Sequence, residues 1–410
     1  MIKQFRKFQL ILGNSSKRFS GVTSTMLQVL SRQEKLTQVA VLGKHFLPEH
    51  TQAMNFFALA RLCYKPLPNG QWRVFHARRN DEMIQALLLK WVFRAKLKIA
   101  FTSTAQRHHS RFTQFLMRQM DSIISTCSAA ASYLETPPDI IIPHGIDTHT
   151  FSPAENKDDC WQALGLPGKY GIGIFGRIRP QKGLDRLIDA VIPLLPNHPD
   201  FNVVITGQIQ RQDQAYFDMQ MQKIKQAGLE AQVHYLGELP FAEIPKIMRS
   251  MSLVAAFSRN EGFGLTVIEA MASGAAVIAS DAGAWPDIIR QSVDGYCVSG
   301  DQQAINSRLK SLLDSPQLLL EMGAEARQHA EQHYSIDREA QQLTDHLLSL
   351  QWSASVINLQ LLAMHSACID ILIEVNQDFI YANTVILIPS AALVQLVGYF
   401  YSTANHSATF

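Results

Sequence analysis

Leu253-Val-Ala-Ala-Phe257 followed by Glu261-Gly-Phe-Gly-Leu-Thr-Val-Ile-Glu269 decides the fold. The first five residues are apolar without interruption and predict a buried strand. Leu265 to Ala272 predicts a helix, and a glycine-rich turn joins the two. A helix opening straight out of a strand leaves unpaired N–H groups at the positive end of the helix dipole, where phosphate binds well. Gly262 and Gly264 let backbone approach a ligand closely, and Thr266 adds a hydroxyl donor beside Phe263 and Leu265. Glu261 precedes the helix and Glu269 lies in its first turns, so both can face a pocket at the strand's carboxyl end. Carboxylates serve phosphate poorly but accept hydrogen bonds from sugar and ribose hydroxyls. The combination suits a nucleotide sugar. A capped helix with two solvated glutamates would show the same letters, but not the strand–turn–helix context.

Upstream, Phe175-Gly-Arg-Ile-Arg-Pro-Gln-Lys-Gly183 also leaves the end of a strand. Arg177 and Lys182 can clamp a diphosphate and stabilise charge on a departing nucleotide. Standing alone, the segment would read as surface cations near a turn. Gly171, Gly173 and Gly176 match G-x-G-x-x-G, yet Ile172, Ile174 and Phe175 fill the gaps, which puts these glycines inside the strand rather than in the loop after it. Binding of NAD is therefore rejected.

Working outward, strands are predicted at 171–175, 202–206, 233–236, 253–257, 275–279 and 296–298, with helices at 184–195, 213–227, 244–250 and 265–272, and helices dominating to about 350. The first half repeats the alternation, with strands at 8–12, 39–42, 73–76, 97–102, 122–126 and 140–142. Helices are expected there at 22–30, 81–94 and 111–120, and mixed loop and short helix at 44–70. Alternation of this kind implies α/β architecture with parallel sheets covered on both faces. A chain of 410 residues favours two such units. The turn-rich, polar stretch from Pro143 to Asp159 marks the boundary. The expected organisation is an N-terminal domain at 1–150, a C-terminal domain at 151–350 and an apolar tail at 351–410.

With 47% hydrophobic and 18% charged residues the chain is globular in composition, and its net charge of +2 is small. The charge is unevenly placed. From Arg61 to Arg118 twelve Lys/Arg stand against Asp81 and Glu82. That field attracts phosphorylated lipid, an anionic membrane face or nucleic acid, or is a solvated basic face. The five cysteines, Cys63, Cys127, Cys160, Cys297 and Cys368, show neither disulfide nor zinc spacing, and fit reduced thiols in the cytoplasm. The N-terminus lacks the apolar run of a signal peptide. From Phe379 to Phe410 there is no charged residue, and 379–401 is long enough to cross a bilayer. An apolar appendage docked on the protein, or a non-native extension, reads the same way.

The two glycine-bearing segments resemble the retaining glycosyltransferases of family 4, which have the GT-B fold of two Rossmann-like domains facing a central cleft. The E-x7-E motif matches Glu261 and Glu269, and G-R-x…K-G matches Gly176-Arg177 and Lys182-Gly183. A closer resemblance, to lipopolysaccharide core mannosyltransferases, rests on Arg18-Phe-Ser-Gly-Val-Thr-Ser-Thr25, His76-Ala-Arg-Arg-Asn-Asp-Glu82, Phe101-Thr-Ser-Thr-Ala-Gln-Arg107 and His144-Gly-Ile-Asp147. The likeness covers about residues 10–345. It implies that Gly21 lies near the diphosphate, that Arg177 and Lys182 hold it, that Glu269 binds ribose and Glu261 the hexose, and that the turn containing Glu238 lines the base pocket. It implies transfer with retention, by front-face attack assisted by the leaving phosphate, without a metal ion.

Many family members carry a histidine directly after the fourth N-terminal strand. Here Thr102-Ser-Thr-Ala-Gln stands there. His109 becomes the catalytic candidate, although an ordinary histidine at a helix start reads alike, and His144 at the cleft edge is a second. His76, Arg78, Arg79 and Arg107 are candidates for an anionic acceptor, unless the first three pair with Asp81 and Glu82. The expected activity is transfer of a hexose, with mannose from GDP-mannose favoured, to a lipopolysaccharide-core glycolipid. Peripheral association with the inner membrane is expected and nucleic acid is not a partner. A UDP-glucose-dependent enzyme of the same fold and an inactive scaffold that binds anionic lipid remain alternatives.

Overall fold

A computed structural model describes residues 7–351. The stretch at 379–401 and Cys368 lie outside the described residues. Among those described, no helix is long and apolar enough to cross a membrane.

Leu10–Gly13, buried throughout, forms β1, an interior strand of a seven-stranded sheet. Its other strands are β2 (Val39–Leu42), β3 (Ala53–Met54), β4 (Arg73–Ala77), β5 (Leu97–Ser103), β6 (Ser122–Ser125) and β7 (Ile140–Ile141). Their order is β3-β2-β1-β4-β5-β6-β7, and every pair is parallel. A second parallel sheet holds β8 (Tyr170–Phe175), β9 (Phe201–Thr206), β10 (Val233–Tyr235), β11 (Met251–Ala256), β12 (Ala276–Ser280) and β13 (Gly295–Val298). Its order is β10-β9-β8-β11-β12-β13. Strand order reverses between β1 and β4 and again between β8 and β11. In open α/β sheets the crevice beyond the carboxyl ends at such a reversal is where ligands bind. The loops leaving these four strands begin at Asn14, Arg78, Gly176 and Phe257, which places both glycine-bearing motifs at the second reversal.

Of the glycines of the rejected dinucleotide motif, Gly171 and Gly173 lie within β8, whereas Gly176, with a φ of 117°, is the first residue of the loop after it. A Cβ on Gly171 would stand 2.5 Å from the Trp161 ring, and one on Gly173 would meet Phe175 at 2.4 Å. They serve close packing of the sheet.

Helix ends differ from expectation where local chemistry acts. The first helix runs over Gly21–Leu36, past the predicted 30, because Gln33 is buried along with its apolar stripe. The helix Asn80–Trp91 stops short of 94, where Arg94 adopts a left-handed φ of 52°. The last described helix, Ile336–Ser349, leaves the second sheet and returns to the first. There Ile336, Ala340, Leu343 and Leu347 pack with Met26, Val29 and Leu30. Residues 336–349 therefore belong by packing with the N-terminal half.

Candidate active site

At the second reversal the two loops are zipped together. Arg259 N–H donates to the Gln181 carbonyl at 2.8 Å, and Gln181 Nε2 donates to the Asn260 carbonyl at 2.9 Å. Arg259 also forks onto Asp185, with contacts of 3.0 and 2.6 Å. Tyr216 donates to the same carboxylate at 2.8 Å, and these partners hold Asp185 below the usual carboxylate range against the opposing effect of burial. Gly183 permits the approach. Its φ of 76° is left-handed, and a Cβ there would lie 2.1 Å from the Phe257 carbonyl oxygen.

The result brings Lys182 onto Glu261. Its ammonium pairs with Oε1, which also accepts from Ser258 Oγ at 2.7 Å. Lys182 and Glu261 thus form one unit, where the sequence presented a diphosphate ligand and a hexose ligand. Glu269 stands close enough for Lys182 to act on it. Burial pushes the Glu269 carboxyl up to about 7, and Lys182 opposes that shift. Lys182 thus pairs with Glu261 and acts on Glu269 through space, without a direct contact. Arg177 is exposed in the loop after β8, and Thr266 is half-buried at the start of the helix. Gly264 has a φ of 87°, and its close approach is to the Trp285 indole, whose Nε1 donates to the Gly264 carbonyl at 2.8 Å. Glu238 is exposed in the turn after β10.

The first half faces this loop. Gly21, Val22 and Thr25 of the first helix, Arg78 after β4 and Thr102 and Thr104 at the end of β5 line a 250 Å³ cavity, closed on the other side by Phe263, Gly264 and Leu265. Gln106 Nε2 donates across to the Gly262 carbonyl at 3.0 Å. His144 completes the wall. Its ring packs edge-on to Phe263 at 5.1 Å between centroids, and its Nδ1 lies 2.8 Å from Glu339 Oε1.

Two candidates, His76 and Arg79, need correction as direct contacts. His76 is fully buried in β4 with Nε2 2.7 Å from Thr102 Oγ1, and burial, then Arg78 and His346, hold its pKa well down, so no acceptor from outside can touch it. Arg79 is occupied, donating to Glu82 Oε1 at 3.0 Å and to the hydroxyls of Ser20 and Thr23 at 3.1 and 3.0 Å. It braces the start of the first helix. His109 lines a different cavity of 550 Å³, next to Arg107, His108 and Ser110, with Nε2 3.0 Å from Ser103 Oγ. That second cavity shares Arg78, Thr102 and Thr104 with the first, and no carboxylate lines it. Arg78 stands between the two, its pKa lowered to about 10 by burial despite Glu82 and Glu339.

Residues 161–329 match the family model described as glycosyl transferases group 1. The lipopolysaccharide core biosynthesis mannosyltransferase LpcC of Rhizobium leguminosarum bv. viciae is 39% identical over 337 residues, covering 82% of this chain and 94% of its own. The chain belongs to the group 1 glycosyltransferases. The lipopolysaccharide core biosynthesis mannosyltransferase LpsB of Rhizobium meliloti (strain 1021) is 37% identical over 340 residues, 82% of this chain and 95% of its own. Among solved structures, HepE of Anabaena in complex with UDP superposes with a TM-score of 0.70 at 18% identity, over 83% of this chain and 100% of its own. The architecture of this glycosyltransferase is GT-B.

Thr25, Thr104 and Gln106 stood in the stretches that carried the resemblance but were not singled out as site residues, and the sequence did not point to Glu339 of this glycosyltransferase at all. Glu339 lies 195 residues beyond His144, and no local pattern marks it.

Proposed function

We propose that this glycosyltransferase moves mannose from GDP-mannose, with retention and without a metal ion, onto the phosphorylated core of a lipopolysaccharide precursor. The cavity between Gly21–Thr25 and Phe263–Leu265 carries this reading, because the loop that closes it also bears Glu261 and reaches Lys182. Its size admits a sugar beside the phosphates rather than a whole glycolipid. Lys182 and Arg177 meet the diphosphate, Glu269 the ribose, Glu261 the hexose and the turn at Glu238 the base. The bond from C1 to the diphosphate oxygen breaks with its electron pair going to the diphosphate. An acceptor hydroxyl oxygen bonds to C1 on the same face, and its proton passes to the departing phosphate oxygen. The two mannosyltransferase relatives support the choice of sugar and acceptor. The neighbouring cavity, with Arg78 and Arg107 and no carboxylate, suits an acceptor phosphate.

A panel of GDP, UDP, ADP and their sugar conjugates tests the donor by thermal shift, since a ligand that binds only the folded state raises the melting temperature. GDP and GDP-mannose are expected to give the shift, and labelled mannose should then reach a core glycolipid in the presence of EDTA. A shift with UDP or ADP compounds alone would replace the donor. Failure of a dephosphorylated core to lose activity would remove the phosphate from the acceptor reading.

Peripheral docking on the cytoplasmic face of the inner membrane belongs to the same proposal. Phe57, Tyr64, Trp91 and Val92 are 73%, 60%, 56% and 66% exposed, and the cations Arg61, Lys65, Arg94 and Lys96 are exposed around them. Exposed aromatics ringed by positive charge match an anionic lipid surface. The protein is expected to sediment with phosphatidylglycerol-containing vesicles and not with pure phosphatidylcholine. A Phe57→Ser/Trp91→Ser double variant that still sediments would refute this surface.

A further inference from the structure

We infer that Glu339, on the last described helix, is a positioning residue for the transfer reaction, fixing the tautomer and orientation of His144 in the cleft. The inference rests on the reading that the cleft takes the sugar nucleotide.

Glu339 is 6% exposed and uses both carboxylate oxygens. Oε1 lies 2.8 Å from His144 Nδ1, and Oε2 accepts the Gly145 backbone N–H at 2.8 Å. A carboxylate is acceptor-only, so the Nδ1 it meets carries the proton. That leaves Nε2, which has no protein partner among the described residues, as the ring nitrogen available to a sugar hydroxyl in the cavity that the ring lines.

The backbone holds this arrangement from both sides. Ile146 N–H donates to the Tyr334 carbonyl at 2.8 Å, and Ile336 N–H donates to the Ile146 carbonyl at 2.9 Å. Gly145 is needed for the contact, because a Cβ there would lie 2.4 Å from the Ser335 carbonyl oxygen. The turn that bears His144 is thus stitched to the start of the helix that bears Glu339. The same chain segment is where the fold passes from the second sheet back to the first. Other charged or titratable groups around the pair are Arg78 and His76, which line a 10 Å³ cavity with it, and Asp147, which is held by Arg32 at 3.1 Å. Arg32 also binds Asp337 at 3.0 Å on the first turn of the same helix. None of these competes for Nδ1.

Glutamine at 339 is the informative change. It keeps the shape of the side chain but offers one acceptor oxygen to two donors, so either His144 or Gly145 loses its partner. The full chain labelled with ¹⁵N-histidine would show the tautomer directly, with the His144 signals identified by their loss in His144→Asn. The wild type is expected to show Nδ1–H and an unprotonated Nε2 at alkaline pH, and Glu339→Gln a shift toward Nε2–H. Release of nucleotide is then followed with GDP-mannose, or with UDP-glucose if that is the compound that stabilises the protein. Glu339→Gln should lower kcat about tenfold or more while donor KM stays within about twofold, the behaviour of a group acting through the histidine it orients. Combined with His144→Asn it should add no further loss. An Nε2–H tautomer in the wild type would overturn the inference. So would a Glu339→Gln penalty of the same size with and without His144. The spectra need no donor, so failure of the GDP-mannose reading leaves this result standing.

Discussion

Lys182→Ala is expected to lower kcat/KM for the sugar nucleotide by about 10²–10³-fold, the usual cost of removing one well-placed charge-stabilising donor from an active site. Lys182 is the cation shared by Glu261, which it contacts, and Glu269, whose pKa it pulls down. Without it the two carboxylates would face an incoming diphosphate unscreened, and the negative charge that develops on the departing nucleotide would lose its nearest ammonium. Both binding and chemistry should suffer, with kcat falling as well as KM rising. Stability should change less. The side chains of Lys182 and Glu261 are 26% and 13% exposed, so water softens the loss of the pair, and Ser258 Oγ still holds Glu261 at 2.7 Å. Steady-state kinetics beside a melting curve separates the two effects. A Lys182→Ala protein that melts early but turns over normally would make the pair a structural brace and remove it from the donor site.

The parts of this site that were legible in the sequence are those with local causes. A strand running into a glycine turn and a helix is set by residues adjacent in the chain, so β11, the turn and the helix Leu265–Ala272 fall where the pattern puts them. The pairing of Lys182 with Glu261 was not legible. It depends on β8 and β11 lying side by side, which follows from sheet order and from no feature of either motif. The basic run around His76 misled for a different reason. In a parallel sheet covered on both faces a strand loses the alternation that marks inside from outside. All five residues of β4, Arg73–Ala77, are buried, so nothing in the letters separates His76 from an exposed histidine. Pairing of Arg79 with Asp81 or Glu82 was an alternative the sequence left open, but nothing in the letters marked the carboxylate as buried. Glu82 is 0% exposed and gathers Arg79, the Arg78 N–H and Ser15.

Glu269 gives the second large effect, and it carries two opposite signs. In the free protein burial raises its pKa from 4.5 to about 7. The folded state therefore holds this proton more tightly than the unfolded chain does. Its contribution to stability is neutral while both states are protonated, becomes unfavourable as pH rises from about 4.5 to 7, and stays so above that. Ribose binding asks for the reverse. An ionised carboxylate accepts from both ribose hydroxyls, whereas the protonated acid gives up part of that capacity. Nucleotide affinity should be flat above pH 7.5 or so and fall by up to about tenfold per pH unit below the folded pKa, with a proton released on binding. Glu269→Gln should remove both dependences. At pH 8 the variant is expected to melt higher than the wild type yet bind nucleotide more weakly, and near pH 4.5 the melting temperatures should converge. Calorimetric titrations at three pH values, with melting curves at the same values, would show it. A carboxylate kept only for the fold cannot produce that combination, because its replacement would lower stability wherever it lowered affinity. If Glu269→Gln melts lower at pH 8 and binds nucleotide as the wild type does, Glu269 is not the ribose ligand.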